Sequence, residues 1–277
     1  MKKRLLYGGF VLLACIAQAQ TVTIPDPNFK AALIADGVDL NKDSQIQVSE
    51  AQATKSLNVS SKTISNLTGI EAFTALDSLD CSFNLLTTLN LSMNTVLTYL
   101  DCSQNSLPSV DVSSNTALTT LYCRNAKMKT IDVGSNVSLM FLDCSFNQLV
   151  SVGLSTNASL LSLVCNSNQL TSLDVSANSS LAILSCYSNP SLAQICISTD
   201  QLADTTVWNT LKDATTQWNA SCVPTGLDDN FLEPASKKLV GVYTPLGQAI
   251  RKEDALNGLY IYQYSDGSTR KVMKHDQ

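Results

Sequence analysis

Leu76, Leu97, Leu118, Leu139, Leu160 and Leu181 stand 21 residues apart, and each opens the pattern L-x-x-L-x-C-x-x-N, as in Leu97, Leu100, Cys102 and Asn105. No single 21-residue unit can bury a core by itself, so a fixed period of this size predicts stacked coils. Ten residues after each first pattern comes a second, L-x-x-L-x-[LV]-x-x-N, as in Leu86, Leu89, Leu91 and Asn94. One coil therefore holds two short strands and two corners. Positions four and six of each pattern share a face and point inward, leaving positions three, five and seven in solvent. Asn at a corner tolerates unusual backbone angles and can bond the turn's backbone. Stacking gives two ladders, Asn84, Asn105, Asn147, Asn168 and Asn189 on one side and Asn94, Asn115, Asn136, Asn157 and Asn178 on the other. Ala126 breaks the first.

The run L-x-x-L-x-C-x-x-N-x-L from Leu97 to Leu107 resembles the leucine-rich repeat, and the resemblance covers six coils plus a degenerate one at Leu57, Val59 and Ile64. It implies a right-handed solenoid with a parallel sheet, commonly used to bind other macromolecules. The second half-coil leaves little room for a helix. The expected fold is thus a mainly parallel β solenoid of 21-residue coils, two short strands per coil and weak curvature, spanning 57–198. A helical N-terminal cap at 20–56, a C-terminal cap at 199–223, a linker at 224–237 and a small antiparallel β domain at 238–277 complete it.

Lys2, Lys3 and Arg4 precede an apolar run from Leu5 to Ile16, and Ala17-Gln18-Ala19 supplies a small-residue cleavage site, so residues 1–19 read as a secretory signal peptide. Leu12-Leu13-Ala14-Cys15 also reads as a lipobox that would anchor Cys15. Removal of residues 1–19 takes the formal net charge from −5 to −8, which argues against nucleic acid and acidic membranes as partners.

Six of the nine cysteines, Cys81, Cys102, Cys123, Cys144, Cys165 and Cys186, keep the repeat period and read as a buried column of small hydrophobes, in preference to a metal or redox column. Side chains in register on parallel strands fit disulfide geometry poorly. Cys196 and Cys222 lie off the register and are the disulfide candidates.

Near the N-terminus a helix is expected from Phe29 to Val38, with Phe29, Leu33 and Ile34 on one face, and a second from Glu50 to Leu57. Between them Asp39, Asn41, Asp43, the Gln45 carbonyl and Glu50 take loop positions 1, 3, 5, 7 and 12, the spacing by which twelve residues surround Ca²⁺. The loop resembles an EF-hand or dockerin loop, with Ser44 where Gly is usual. A structural Ca²⁺ in the cap is the expectation, against an acidic turn between two helices.

At the other end Leu192, Ile195 and Ile197 finish the stack, and Gln201 to Trp218 reads as an amphipathic segment lying across the last coil. Residues 238–277 carry strands at Leu239–Tyr243 and Leu256–Tyr262, a turn at Ser265-Asp266-Gly267 and a basic last strand, Arg270–Lys274. This order resembles the C-terminal sorting domain of type IX secretion cargo, which implies export to the outside of the cell or its surface.

The only His is His275, which excludes His-dependent triads. Carboxylates such as Asp80, Asp101 and Asp143 could serve a hydrolase but sit on an open sheet with nothing to shift their pKa. A non-catalytic monomer is expected. The second-half sheet presents monotonous rows such as Thr88, Ser109, Thr130, Ser151 and Ser172, which could at most order water as ice-binding solenoids do. The first-half sheet presents Tyr99, Asp101, Tyr122, Arg124, Phe141, Asp143 and Tyr187. Aromatics and an Arg amid small polar residues are the composition of binding hot spots. The reading is an adhesion module that binds a protein or surface glycan through this sheet, with membranes involved only through secretion or attachment. The alternative is a passive spacer.

Overall fold

Hydrogen bonding across the repeat builds the molecule, which was obtained as a computed structural model. It describes residues 20–203 and 209–220 together with four strands, Leu239–Tyr243, Ala249–Ile250, Gly258–Tyr264 and Thr269–Lys274. The chain divides into two compact units, Met1–Trp218 and Asn219–Gln277.

In the first unit every repeat contributes three residues to one parallel sheet. Its strands are β1 (Ser56–Asn58), β2 (Ser78–Asp80), β3 (Tyr99–Asp101), β4 (Thr120–Tyr122), β5 (Phe141–Asp143), β6 (Ser162–Val164), β8 (Ile183–Ser185) and β10 (Asn209–Leu211), in that order. The register is one coil per rung: Leu79 pairs with Leu100, Leu100 with Leu121, Leu121 with Leu142 and Leu142 with Leu163. The repeat leucines are buried and the six repeat cysteines are buried and free. Burial pushes every one of those thiols up, that of Cys102 and of Cys144 to about 12, so they are inert packing groups.

The second side of the coil is less regular. Its residues form a hydrogen-bonded sheet only toward the C-terminal end, where β7 (Leu173–Asp174), β9 (Gln194–Cys196) and β11 (Gln217–Asn219) associate in the order β11-β9-β7. In the earlier coils no strand precedes the two turns around each Asn of the second ladder.

The corners correct the expectation about Asn. The left-handed residue is the one before each first-corner position: Phe83, Gln104, Asn125, Phe146, Ser167 and Ser188, all with φ between 49° and 57°. The ladder Asn is there for its amide. Asn147 Nδ2 donates to the carbonyls of Cys123 (2.9 Å) and Cys144 (3.0 Å), while its Oδ1 accepts from Ala126 N (3.0 Å) and Met128 N (2.9 Å). It ties two coils together from inside.

At the N-terminal end, α1 (Pro27–Ala35) is shorter than expected because Gly37, with φ 84°, stops it. Asp26 caps it by accepting from Asn28 N and Phe29 N, and Asp26 Oδ2 also accepts from Ser65 N and Asn66 N of the first coil. Phe29 and Leu33 are buried, but Ile34 is exposed. The second helix, α2 (Val48–Ala53), ends before Ser56, and Ser56–Leu57 belongs to β1 instead. Gly69 (φ 108°) could not be another residue, since a Cβ there would come within 2.9 Å of the Ile24 side chain and 3.0 Å of the Thr23 carbonyl.

The Ca²⁺ expectation fails. Among the described residues no group of three or more His, Cys, Asp or Glu side chains is placed to hold a metal ion. The oxygens that would ligate are turned onto the loop's own donors: Asp39 accepts from Asp43 N and Ser44 N, and Glu50 accepts from Leu40 N and Gln47 N. Asp43 accepts from Gln45 N, which holds its carboxyl below the usual range, and from the amides of Asn41 and Gln47. The loop is the acidic turn between two helices, closed by hydrogen bonds and by a capping box from Gln47 to Glu50.

At the C-terminal end Leu192, Ile195 and Ile197 are buried as the last inward row. The chain then makes a further irregular coil, with α3 (Thr199–Ala203) and after it β10 joining the first sheet. Gln201 Nε2 donates to the Val175 and Asn178 carbonyls and so adds a final rung to the second ladder. Cys196 is buried and disulfide-bonded, and Cys222 lies outside the described residues. In the second unit β12 (Leu239–Tyr243), β13 (Ala249–Ile250), β14 (Gly258–Tyr264) and β15 (Thr269–Lys274) form an antiparallel sheet in the order β13-β12-β14-β15. The turn at Ser265-Asp266-Gly267 and the signal peptide at 1–19 also lie outside the described residues. Among the described residues no helix is long and apolar enough to cross a membrane.

Candidate functional site

The outward row of a parallel sheet is fixed by register, so the candidates can be placed rung by rung. Tyr99, Thr120 and Phe141 form one row and Asp101, Tyr122 and Asp143 the next, on β3, β4 and β5. Tyr99 and Tyr122 are diagonal neighbours and meet edge to face, their ring centroids 5.8 Å apart and their planes at 88°. This geometry pairs the positive ring edge with the negative face. Phe141 is 38% exposed beside them.

Position seven does not point into solvent as expected. Ser82, Ser103 and Ser145 are buried, because each backbone N–H turns back to donate to the Asp two residues earlier: Ser82 to Asp80, Ser103 to Asp101 and Ser145 to Asp143. These Asx turns orient the carboxylates across the sheet. Arg124 occupies the same position, where the longer side chain escapes outward. Its guanidinium lies 4.6 Å from the centre of the Phe146 ring.

Electrostatically the face is negative. Burial raises the Asp101 pKa, and the charges of Asp80 and Asp143 raise it further, against the hydrogen bonds from Ser103. Burial, with Asp101 and Asp80, pushes the Tyr99 phenol to about 12. Six of the candidates thus gather on three successive rungs, whereas Tyr187 lies three coils beyond Arg124 and stands apart from them.

The sequence reading missed Phe146 and Phe83. Both precede a first-corner position, are exposed (43% and 60%) and adopt φ near 55°. A bulky residue at this conformation costs about 1–2 kcal/mol. The legible signal was a large apolar side chain one residue before the corner, where other coils have Gln, Asn or Ser. On the second side, Val110, Asp111, Thr130, Ile131 and Asp132 border an open hollow of about 270 Å³.

No protein-family profile matches the chain. Internalin J of Listeria monocytogenes is 37% identical to it over 71 residues, 26% of this chain and 8% of that protein. The solved functional domain of internalin J, described as including a cysteine ladder, superposes with a TM-score of 0.59 at 29% identity, covering 73% of this chain and 48% of that one. Internalin C2 of the same species gives 0.59 at 21% identity, over 74% of this chain and 91% of that one. A leucine-rich-repeat protein of Leptospira interrogans gives 0.53 at 22%, over 64% and 46%. The chain spans about half of the internalin J domain it matches. The fold is therefore that of a bacterial leucine-rich-repeat solenoid, similar to the internalins. Among the described residues its open sheet carries no group of His, Cys, Asp or Glu placed to hold a metal ion.

Proposed function

We propose that the chain is an extracellular binding or adhesion module that takes a protein or glycan ligand on the outward face of β3, β4 and β5. The carrying observation is the contact of Tyr99 with Tyr122, with Phe141 on the next rung, on a face whose neighbours are small polar residues. Its similarity to the internalin J domain supports the reading. Truncating a central aromatic in such a patch typically costs about 2 kcal/mol or more in binding, roughly thirtyfold, with little effect on folding. Tyr122→Ala and Phe141→Ala are expected to weaken capture of the natural partner and surface adhesion, whereas Thr130→Ala and Ser151→Ala on the opposite side leave both unchanged. Equal affinity for all four, at equal thermal stability, would favour a passive spacer.

The same reading places the protein outside the cell, exported by the segment 1–19 and sorted by residues 238–277. The antiparallel order of β12, β14 and β15 is consistent with that role. A truncation ending at Pro234 should accumulate in the periplasm of a host with type IX machinery; normal surface display would refute the assignment.

A further inference from the structure

Asp80, Asp101, Tyr122 and Asp143 occupy the same position on four successive rungs, in register. Rungs of a sheet are about 4.8 Å apart, so Tyr122 is bracketed by two carboxylates. Each of the three carboxylates has Oδ1 engaged by a Ser backbone N–H, and among the described residues Oδ2 of each accepts no hydrogen bond. The charges of Asp80 and Asp143 raise the Asp101 pKa, and a cation on these rungs would offset them. Arg124 could have done so but is laid over Phe146 at the corner. Negative charge, free carboxylate Oδ2 atoms and two tyrosine rings thus converge on one strip.

Resting on the binding-face reading above, we propose that the ligand is a protein and that it presents a basic segment, seating an Arg or Lys head over Tyr122 between Asp101 and Asp143. The rings supply cation–π attraction and the carboxylates paired hydrogen bonds. Complementary charge of this kind sets register and speeds encounter. A neutral glycan would stack on the tyrosines yet leave the carboxylates uncompensated, which is why it is the weaker fit.

The test uses the full mature chain and a fluorescent hexa-arginine peptide, with hexa-citrulline as its uncharged counterpart and chitohexaose as a neutral glycan. Asp101→Asn with Asp143→Asn keeps the Oδ1 acceptors for Ser103 and Ser145, and thermal melting checks that the fold persists. This double variant should bind hexa-arginine at least tenfold more weakly. Asp111→Asn with Asp132→Asn on the opposite side changes net charge equally and should shift affinity less than twofold. Tyr122→Ala should match the first pair. Equal weakening by both pairs, equal binding of hexa-citrulline, or no saturable binding would overturn the proposal. Saturable chitohexaose binding that Tyr122→Ala abolishes and the carboxylate pair leaves intact would also overturn it, while the binding-face reading would stand.

Discussion

Except in the coil with Ala126, the two corners of a coil carry the same residue and use it differently. At the first corner the Asn amide is fully engaged. Asn147, for example, donates to the carbonyls of Cys123, Cys144 and Ser145 and accepts from two backbone N–H groups. At the second corner Asn136 donates to the Val112 and Asn115 carbonyls at 3.1 and 2.8 Å, and its Oδ1, though buried, has no partner. The same holds for Asn94, Asn115, Asn157 and Asn178. At the first corner the N–H groups taken by Asn147 Oδ1, those of Ala126 and Met128, lie just past the strand of the preceding coil. The second has two tight turns that spend their own N–H groups internally, as Asn136 N does on Val133 O and Leu139 N on Asn136 O. One ladder is a two-way clasp and the other a one-way hook.

The sharpest way to break this comparison is to remove one member of each. Asn147→Ala strands both carbonyls and N–H groups and should cost about 3–5 kcal/mol, whereas Asn136→Ala strands carbonyls alone and should cost about 1–2 kcal/mol. Urea denaturation of the two variants measures the gap; equal losses would erase the distinction. The chain already contains one missing clasp. Ala126 replaces the Asn that would accept from Leu107 N, as Asn105 Oδ1 accepts from Leu86 N and Asn168 Oδ1 from Leu149 N. Ala126→Asn should therefore stabilise by about 1 kcal/mol, and a loss of stability would show that the third coil has closed around the small side chain. The smallest effect concerns strain at the clasped corner. Phe146→Asn keeps the left-handed backbone with a residue suited to it and should gain up to about 1 kcal/mol. It also removes the platform under Arg124, so a thermal melt and a binding assay on the same variant should move in opposite directions.

How much of this was legible depends on how far a local rule reaches. The period alone placed the inward leucines and cysteines and the rung-by-rung register, because a repeat that stacks has one way to bury L-x-x-L-x-C. It placed Tyr99, Tyr122, Phe141 and the three Asp on one face for the same reason. Alternation failed at position seven, where the strand had already ended and Ser103 and Ser145 folded back on Asp101 and Asp143. On the second side the same period places the inward residues, and hydrogen-bonded strands form there as β7, β9 and β11. The loop from Asp39 to Glu50 misleads because oxygen spacing suited to a cation equally suits the loop's own amides, and only the folded backbone decides between them. Tolerance of the left-handed conformation points to Asn as the strained corner residue, yet the chain asks more of its amide than of its tolerance.

The sealed column of thiols turns the solenoid into its own recorder. Each coil from the first to the sixth carries one cysteine, buried, free and with its pKa pushed up, so none reacts while its coil is stacked. A coil that opens surrenders one alkylation site. Brief exposure to a maleimide under rising denaturant would therefore write the history of unstacking as a series of mass increments, and peptide mapping would read which end let go first.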